Sequence, residues 1–233
     1  MISLKRFAIL IAMIAAVAAF LPAQTAGRTM TVEESYLMET MEIMIIRELA
    51  SSNSRDQKLM SLEYIGEAIS RGNTNDEIRV TLENLGSQGT RVVARENGRV
   101  VNNYPDVRRQ AARLLGQMGT EEARLSLVSM IQVETEPVVI QEIIKSLGDI
   151  GLNPNNETVN QIGWIFRRFN NLNPDNILAL ATIDAIEKIA RANNGIASTE
   201  AVQVLMLISE GYYISPVRER ARQLIAELRS YGR

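Results

Sequence analysis

Arg91, Arg95, Arg99, Arg108, Arg109 and Arg113 fall in one short span that holds only Glu96 and Asp106 as acids. Guanidinium groups at this density can form charge-assisted, bidentate bonds to carboxylates. The span therefore has two readings, a docking surface for an acidic partner or a solvated face of scattered charge. A second candidate is Trp164 in "WIFRRF", residues 164 to 169. Ile162, Ile165, Phe166 and Phe169 are spaced as the buried stripe of a helix and leave Trp164, Arg167 and Arg168 toward the other side. Trp164 is then either a core or inter-repeat residue, or an exposed anchor at an interface.

Two absences narrow the chemistry further. The chain has no cysteine, which excludes disulfides, thiolate metal sites and a thiol nucleophile. It has no histidine either, so the commonest metal ligand and general base is missing. The carboxylates Glu33, Glu34, Glu39 and Glu42 read as a solvated helix face that complements a helix N-terminus, and no converging acid set suggests a metal site. Met38, Met41 and Met44 could form an adaptable binding surface or close the end of a helical stack. No catalytic residue and no cofactor are expected.

These side chains need elements to carry them. Apolar residues make up 46% of the 233-residue chain but aromatics only 5%, so the core must be built from aliphatic side chains, which favours packed helices. Met1 to Ala23 has a basic start at Lys5 and Arg6, then an apolar run from Phe7 to Leu21, then small residues. That is the layout of a secretory signal peptide. The run falls short of the roughly 20 residues that span a bilayer. Cleavage is expected after Ala23, with Ala26 as second choice, leaving Gln24 as the new terminus and a flexible segment over 24–32. Of 25 basic residues Lys5 and Arg6 would leave with the signal, so the mature chain would carry 23 against 27 acidic residues, a net charge of about −4. That balance disfavours nucleic acid, which needs a dominant positive face. A periplasmic or secreted protein without stable membrane insertion follows.

The segments "YPDVRRQAARLLGQMG" (104–119) and "EPVVIQEIIKSLGDIG" (136–151) align with a shift of 32 residues, placing Pro105 on Pro137, Leu115 on Leu147, Gly116 on Gly148 and Gly119 on Gly151. Weaker copies occur at 59–68, 182–190 and 215–228. Other amphipathic patterns lie between them, at about 33–50, 75–88, 120–132, 157–169 and 198–209, giving five helix pairs. Pro105, Pro137 and Pro216 suit a first helical turn. Gly119 and Gly151 suit the left-handed residue that ends a helix. Gly66, Gly116 and Gly148, inside helices, each cost about 1 kcal/mol of helix propensity relative to alanine. Close approach of a neighbouring helix would offset that cost.

One segment breaks the helical pattern. In "RVVARENGRVV" (91–101), Asn97-Gly98 is a two-residue hairpin turn, predicting that Glu96 faces Arg99, Arg95 faces Val100 and Ala94 faces Val101. Such a hairpin, inserted over 91–103, explains why Ile65 and Leu115 are 50 residues apart rather than 32. A lone two-stranded hairpin is marginal in water, so it should lean on the helices or await a partner's strand.

The pattern Asp106-Val107-Arg108, Ala111-Ala112, Leu115-Gly116 and Gly119 resembles the HEAT repeat, in the short form common in bacterial HEAT-like proteins. The resemblance is strong over 104–151, with paired helices extending over about 33–231. It implies a right-handed all-α solenoid of about five helix pairs whose curved surface binds partners. It further implies that an Asp and an Arg at the turn between paired helices tie adjacent repeats. Asp106, Arg108 and Arg218 match; the repeat at 136 has Val138 and Ile140 instead. Iron-dependent hydroxylases of the superfamily use His-Glu pairs, which this chain cannot supply. The expectation is an exported, non-catalytic scaffold that binds other proteins, with acidic ones among the candidates. The alternatives are an accessory subunit of an envelope enzyme, or a weak hydrolase using carboxylates and arginines.

Overall fold

The structure, a computed structural model, describes residues 31–171 and 174–231. The expected signal segment and Gln24 lie outside them. The chain divides after Thr40 into two units. In the first, Thr31 and Glu34 cap α1 (Val32–Ser51) reciprocally: Glu34 N–H donates to Thr31 Oγ1 at 3.1 Å and Thr31 N–H to the Glu34 carboxylate at 3.0 Å.

Among its described residues the second unit holds the rest of α1, a short 3-10 turn at Pro154–Asn156 and nine further α-helices: α2 (Arg55–Ser70), α3 (Asp76–Gly86), α4 (Pro105–Met118), α5 (Glu121–Val133), α6 (Pro137–Ile150), α7 (Glu157–Asn170), α8 (Asn176–Ala192), α9 (Thr199–Glu210) and α10 (Ser215–Tyr231). Each even-numbered helix from α2 to α10 packs on the next even one, and α3, α5, α7 and α9 do the same in a second layer. This is the all-α solenoid that the repeat pattern predicts. Ile46 of α1 is buried, and its carbonyl accepts the Ser61 hydroxyl of α2 at 2.9 Å.

The aligned positions are equivalent in space. Leu115 of α4 and Leu147 of α6 are both fully buried. Pro105 and Pro137 open their helices, and Gly119 and Gly151 close them with φ of 69° and 73°. Gly116 and Gly148 lie where neighbours come close, whereas a Cβ on Gly66 would meet Leu114 Cδ2 at an ordinary 3.4 Å, so the expected close approach is absent there. A Cβ on Gly116 would stand 2.7 Å from Ser146 Cβ, and one on Gly148 would stand 2.7 Å from the Ala185 Cα. Asn75, Thr120, Asp175 and Ser198 supply side-chain caps to α3, α5, α8 and α9.

The hairpin forms in the expected register, Arg95 with Val100 and Glu96 with Arg99, around Asn97 (φ 49°) and Gly98 (φ 80°). Its strands β1 (Arg95–Glu96) and β2 (Arg99–Val100) are shorter than the arms suggest. The reason is Asn102, whose side chain takes over the ladder: its Oδ1 accepts from Ala94 N–H at 2.9 Å, and its Nδ2 donates to the Val92 carbonyl at 2.6 Å.

Candidate functional site

Three cations are drawn into the helical interior: Lys58 (4% exposed), Arg108 (1%) and Arg124 (1%). Each is the fourth residue of its helix. Each also starts a buried stripe, Lys58 with Ser61, Leu62 and Ile65, Arg108 with Ala111, Ala112 and Leu115, Arg124 with Leu127, Val128 and Ile131. A cation near a helix N-terminus opposes the helix dipole, so such a group needs an anion beside it.

Arg108 has one. Its Nε and Nη2 donate to the two oxygens of the buried Glu134 at 2.7 and 3.1 Å. Its Nη1 donates to the Gln88 carbonyl at 3.0 Å and to Asn103 Oδ1 at 2.8 Å, the two ends of the insertion. Glu134 in turn accepts from Thr135 and Glu136 N–H, both at 2.9 Å. Arg108 therefore belongs to the interior, and its grouping with surface arginines is corrected: four of its five N–H donors are matched, and they clamp the base of the hairpin to the loop between α5 and α6. Arg124 is likewise matched, by Glu121 at 2.6 Å and Glu157 at 2.9 Å. The arginine bond holds the Glu121 carboxyl below the usual glutamate range.

The remaining arginines of the span go to separate places. Arg91 ties the insertion to α5, donating to the Ser129 carbonyl at 2.6 Å. Arg95 donates to the Gly98 carbonyl at 3.1 Å, and Arg99 is exposed on β2. Arg109 pairs with Glu142 of α6 at 3.1 Å, and Arg113 is exposed on α4. The structure does not assemble the six into one basic patch. Trp164 is 47% exposed, with the Arg168 guanidinium 5.8 Å from its ring centre, which removes the core reading; Ile162, Ile165 and Phe166 hold the buried stripe as expected. Met38 of the first unit and Met41 and Met44 of the second are each more than half exposed.

What the hairpin does build is a groove of about 970 Å³. Its walls come from the α1–α2 corner, α3 and the hairpin itself, with Lys58, Val80, Asn84, Arg95, Val101 and Tyr104 among the lining. Val92, Val93, Val100 and Val101 of the insertion remain 38 to 48% exposed. Among the described residues no cluster of acids could hold a metal ion, and no helix is long and apolar enough to cross a membrane.

The expected Asp106 tie exists, since Arg55 of the preceding repeat pairs with it. The Arg218 side chain donates to Ser215 Oγ at 3.3 Å, its buried Nε has no hydrogen-bond partner, and among the described residues it makes no tie to another repeat. Other ties were not foreseen. Arg109–Glu142, Arg124–Glu157, Arg167–Glu200 and Arg220–Glu187 each join residues 33 apart, one repeat to the next. The signal for them was present in the spacing of opposite charges at one repeat period.

No curated relative matches the chain. A de novo designed 16-helix transmembrane nanopore, solved by cryo-EM, is similar at 13% identity over 84% of this chain and 62% of that one; its TM-score of 0.28 carries no argument about fold or function. Residues 100–160, from the end of the hairpin through α4, α5 and α6 into α7, match the family of HEAT repeats.

Proposed function

We propose that this chain is an exported, non-catalytic scaffold that captures a partner protein at the hairpin insertion. HEAT repeats generally serve as protein-interaction scaffolds. The observation that carries the reading is the clamp on Arg108. A buried ion pair is a costly way to gain stability, because desolvation of both charges offsets much of their attraction. Here it fixes an insertion whose residues 91 to 101 are all exposed and add nothing to the core. Rigid presentation of exposed valines is what a binding surface requires, since it lowers the ordering cost on association.

Replacing residues 93 to 101 with a short Gly-Ser linker keeps Val92, whose backbone bonds to Ser87 and Gly89 close the base of the insertion. The variant should retain its helical signal and thermal midpoint, and lose the partner recovered by crosslinking in intact cells. Unchanged recovery by a folded variant would refute the reading. For export, the protein isolated from the cell envelope should begin at Gln24; a mature form that keeps Met1 would count against secretion.

A further inference from the structure

Among the described residues Lys58 is the buried cation without an ion-pair partner. Lys145 and Lys188, by contrast, are about half exposed and each stands within ion-pair distance of a carboxylate, Glu142 and Asp149. Lys58 has one partner, the Ala50 carbonyl in the last turn of α1, at 2.8 Å. An ammonium carries three N–H donors, so that bond leaves two unmatched by protein. No carboxylate among the described residues forms an ion pair with it. Burial pushes the Lys58 ammonium below the usual lysine range. The end of α1 offsets part of the charge, because its last carbonyls are the negative end of a helix dipole, but one carbonyl occupies only one of the three donors.

Lys58 and Ala50 both line the groove beside the hairpin. Its volume lies in the range of built ligand sites, about 300–1,000 Å³. Val80, Val92 and Val101 offer it apolar contact, and each is 38 to 48% exposed. The wall also carries both signs of charge, Arg47 and Arg95 against Asp76, Glu77 and Glu96. A polyanion would set several charges against those acids, whereas an apolar segment with a single carboxylate brings only one.

We infer that the groove takes an extended segment of the partner protein, apolar at its flanks, whose single carboxylate pairs with Lys58. This rests on the scaffold reading and adds the chemistry of its partner. The hairpin wall suits an extended segment, because Val92 and Val101 offer apolar contact to its flanking side chains.

The test uses two pools of capped heptapeptides, randomised except for a central Glu in one and a central Gln in the other. They are passed over immobilised full-length mature protein. The wild type should retain the Glu pool at least tenfold better than the Gln pool. Lys58→Gln, which can still donate to the Ala50 carbonyl, and Lys58→Met should both fold with an unchanged or higher thermal midpoint and lose the preference. Equal retention of the pools by the wild type, retention of neither, a preference that survives in either variant, or unfolding of both variants would overturn the inference. The last outcome would show the ammonium to be structural. Partner recovery in cells separates the two readings: a partner lost with the hairpin but kept in Lys58→Gln leaves the scaffold standing and removes only the Lys58 site.

Discussion

Arg108→Met keeps an unbranched apolar stem, shorter than that of arginine, and removes the charge and all the side-chain donors. The variant leaves Glu134 buried, still accepting the Thr135 and Glu136 amides but without its cation, and strands the Gln88 carbonyl and Asn103. Removing one partner of a buried ion pair costs about 3–5 kcal/mol. The two Glu134 amide bonds place this case toward the lower end. At about 1.4 kcal/mol per tenfold, the folded-to-unfolded ratio should fall by roughly a hundred-fold or more. That is a large share of the about 5–15 kcal/mol available to a domain. Urea unfolding followed by circular dichroism measures the loss, provided the slope with denaturant is unchanged. Glu134→Gln alone should also destabilise, since it leaves Arg108 charged and buried. The double variant Arg108→Met with Glu134→Gln should be less destabilised than the sum of the singles by about 1–2 kcal/mol, because no lone charge remains. Amide exchange at Ala94 and Val101 should accelerate in Arg108→Met more than at Leu147. A single-variant loss under about 1 kcal/mol, strict additivity, or unchanged exchange in the hairpin would refute the clamp.

The buried leucines give a direct check of the repeat alignment: Leu115→Ala and Leu147→Ala should each cost about 2–5 kcal/mol, and urea midpoints showing under about 1 kcal/mol at both would break the equivalence. The helical glycines should respond with opposite signs. Gly66→Ala meets only Leu114 Cδ2 at 3.4 Å and should gain up to about 1 kcal/mol, whereas Gly148→Ala drives a methyl against the Ala185 backbone and should lose about 1–3 kcal/mol. Thermal midpoints moving the same way would refute this. In acid, Glu121 gives the sign of one pH effect. Its folded-state pKa is depressed by Arg124, so its contribution is present above the ordinary glutamate value of about 4.3 and is lost as pH falls through the folded value. The midpoint difference between wild type and Glu121→Gln should shrink over that descent; a constant difference would refute it.

Elements were legible in the sequence because periodicity and punctuation act locally. The stripe of α6, the prolines opening α4 and α6, the left-handed glycines and the hairpin register all follow from a few neighbouring residues. The destinations of charged side chains do not, because they depend on which loop lies across the helix N-terminus. Grouping Arg108 with Arg91, Arg95 and Arg99 by sequence distance missed this. Helical spacing would have separated it, since Arg108 shares a face with Ala111, Ala112 and Leu115, while Arg109 and Arg113 share the exposed one. Trp164 shows the opposite case: the stripe of Ile162, Ile165 and Phe166 already excluded it from the core, and the general tendency of tryptophan to bury was the weaker guide.

The same spacing argument joins the clamp to the groove. A basic residue at the fourth position of a helix, on the buried stripe, is pulled inside by its neighbours and then requires an anion there. At Arg108 the loop before α6 supplies Glu134; at Arg124 the same helix and α7 supply Glu121 and Glu157. At Lys58 the neighbouring chain is the corner between α1 and α2, Ser51 to Ser54, which contains no acid. The insertion that could have covered this corner instead stands off from it and walls the groove. Closing the corner internally would have taken one carboxylate. Among the described residues its absence leaves the ammonium with one carbonyl of the α1 C-terminus, and a carboxylate entering the groove would supply the full counter-charge.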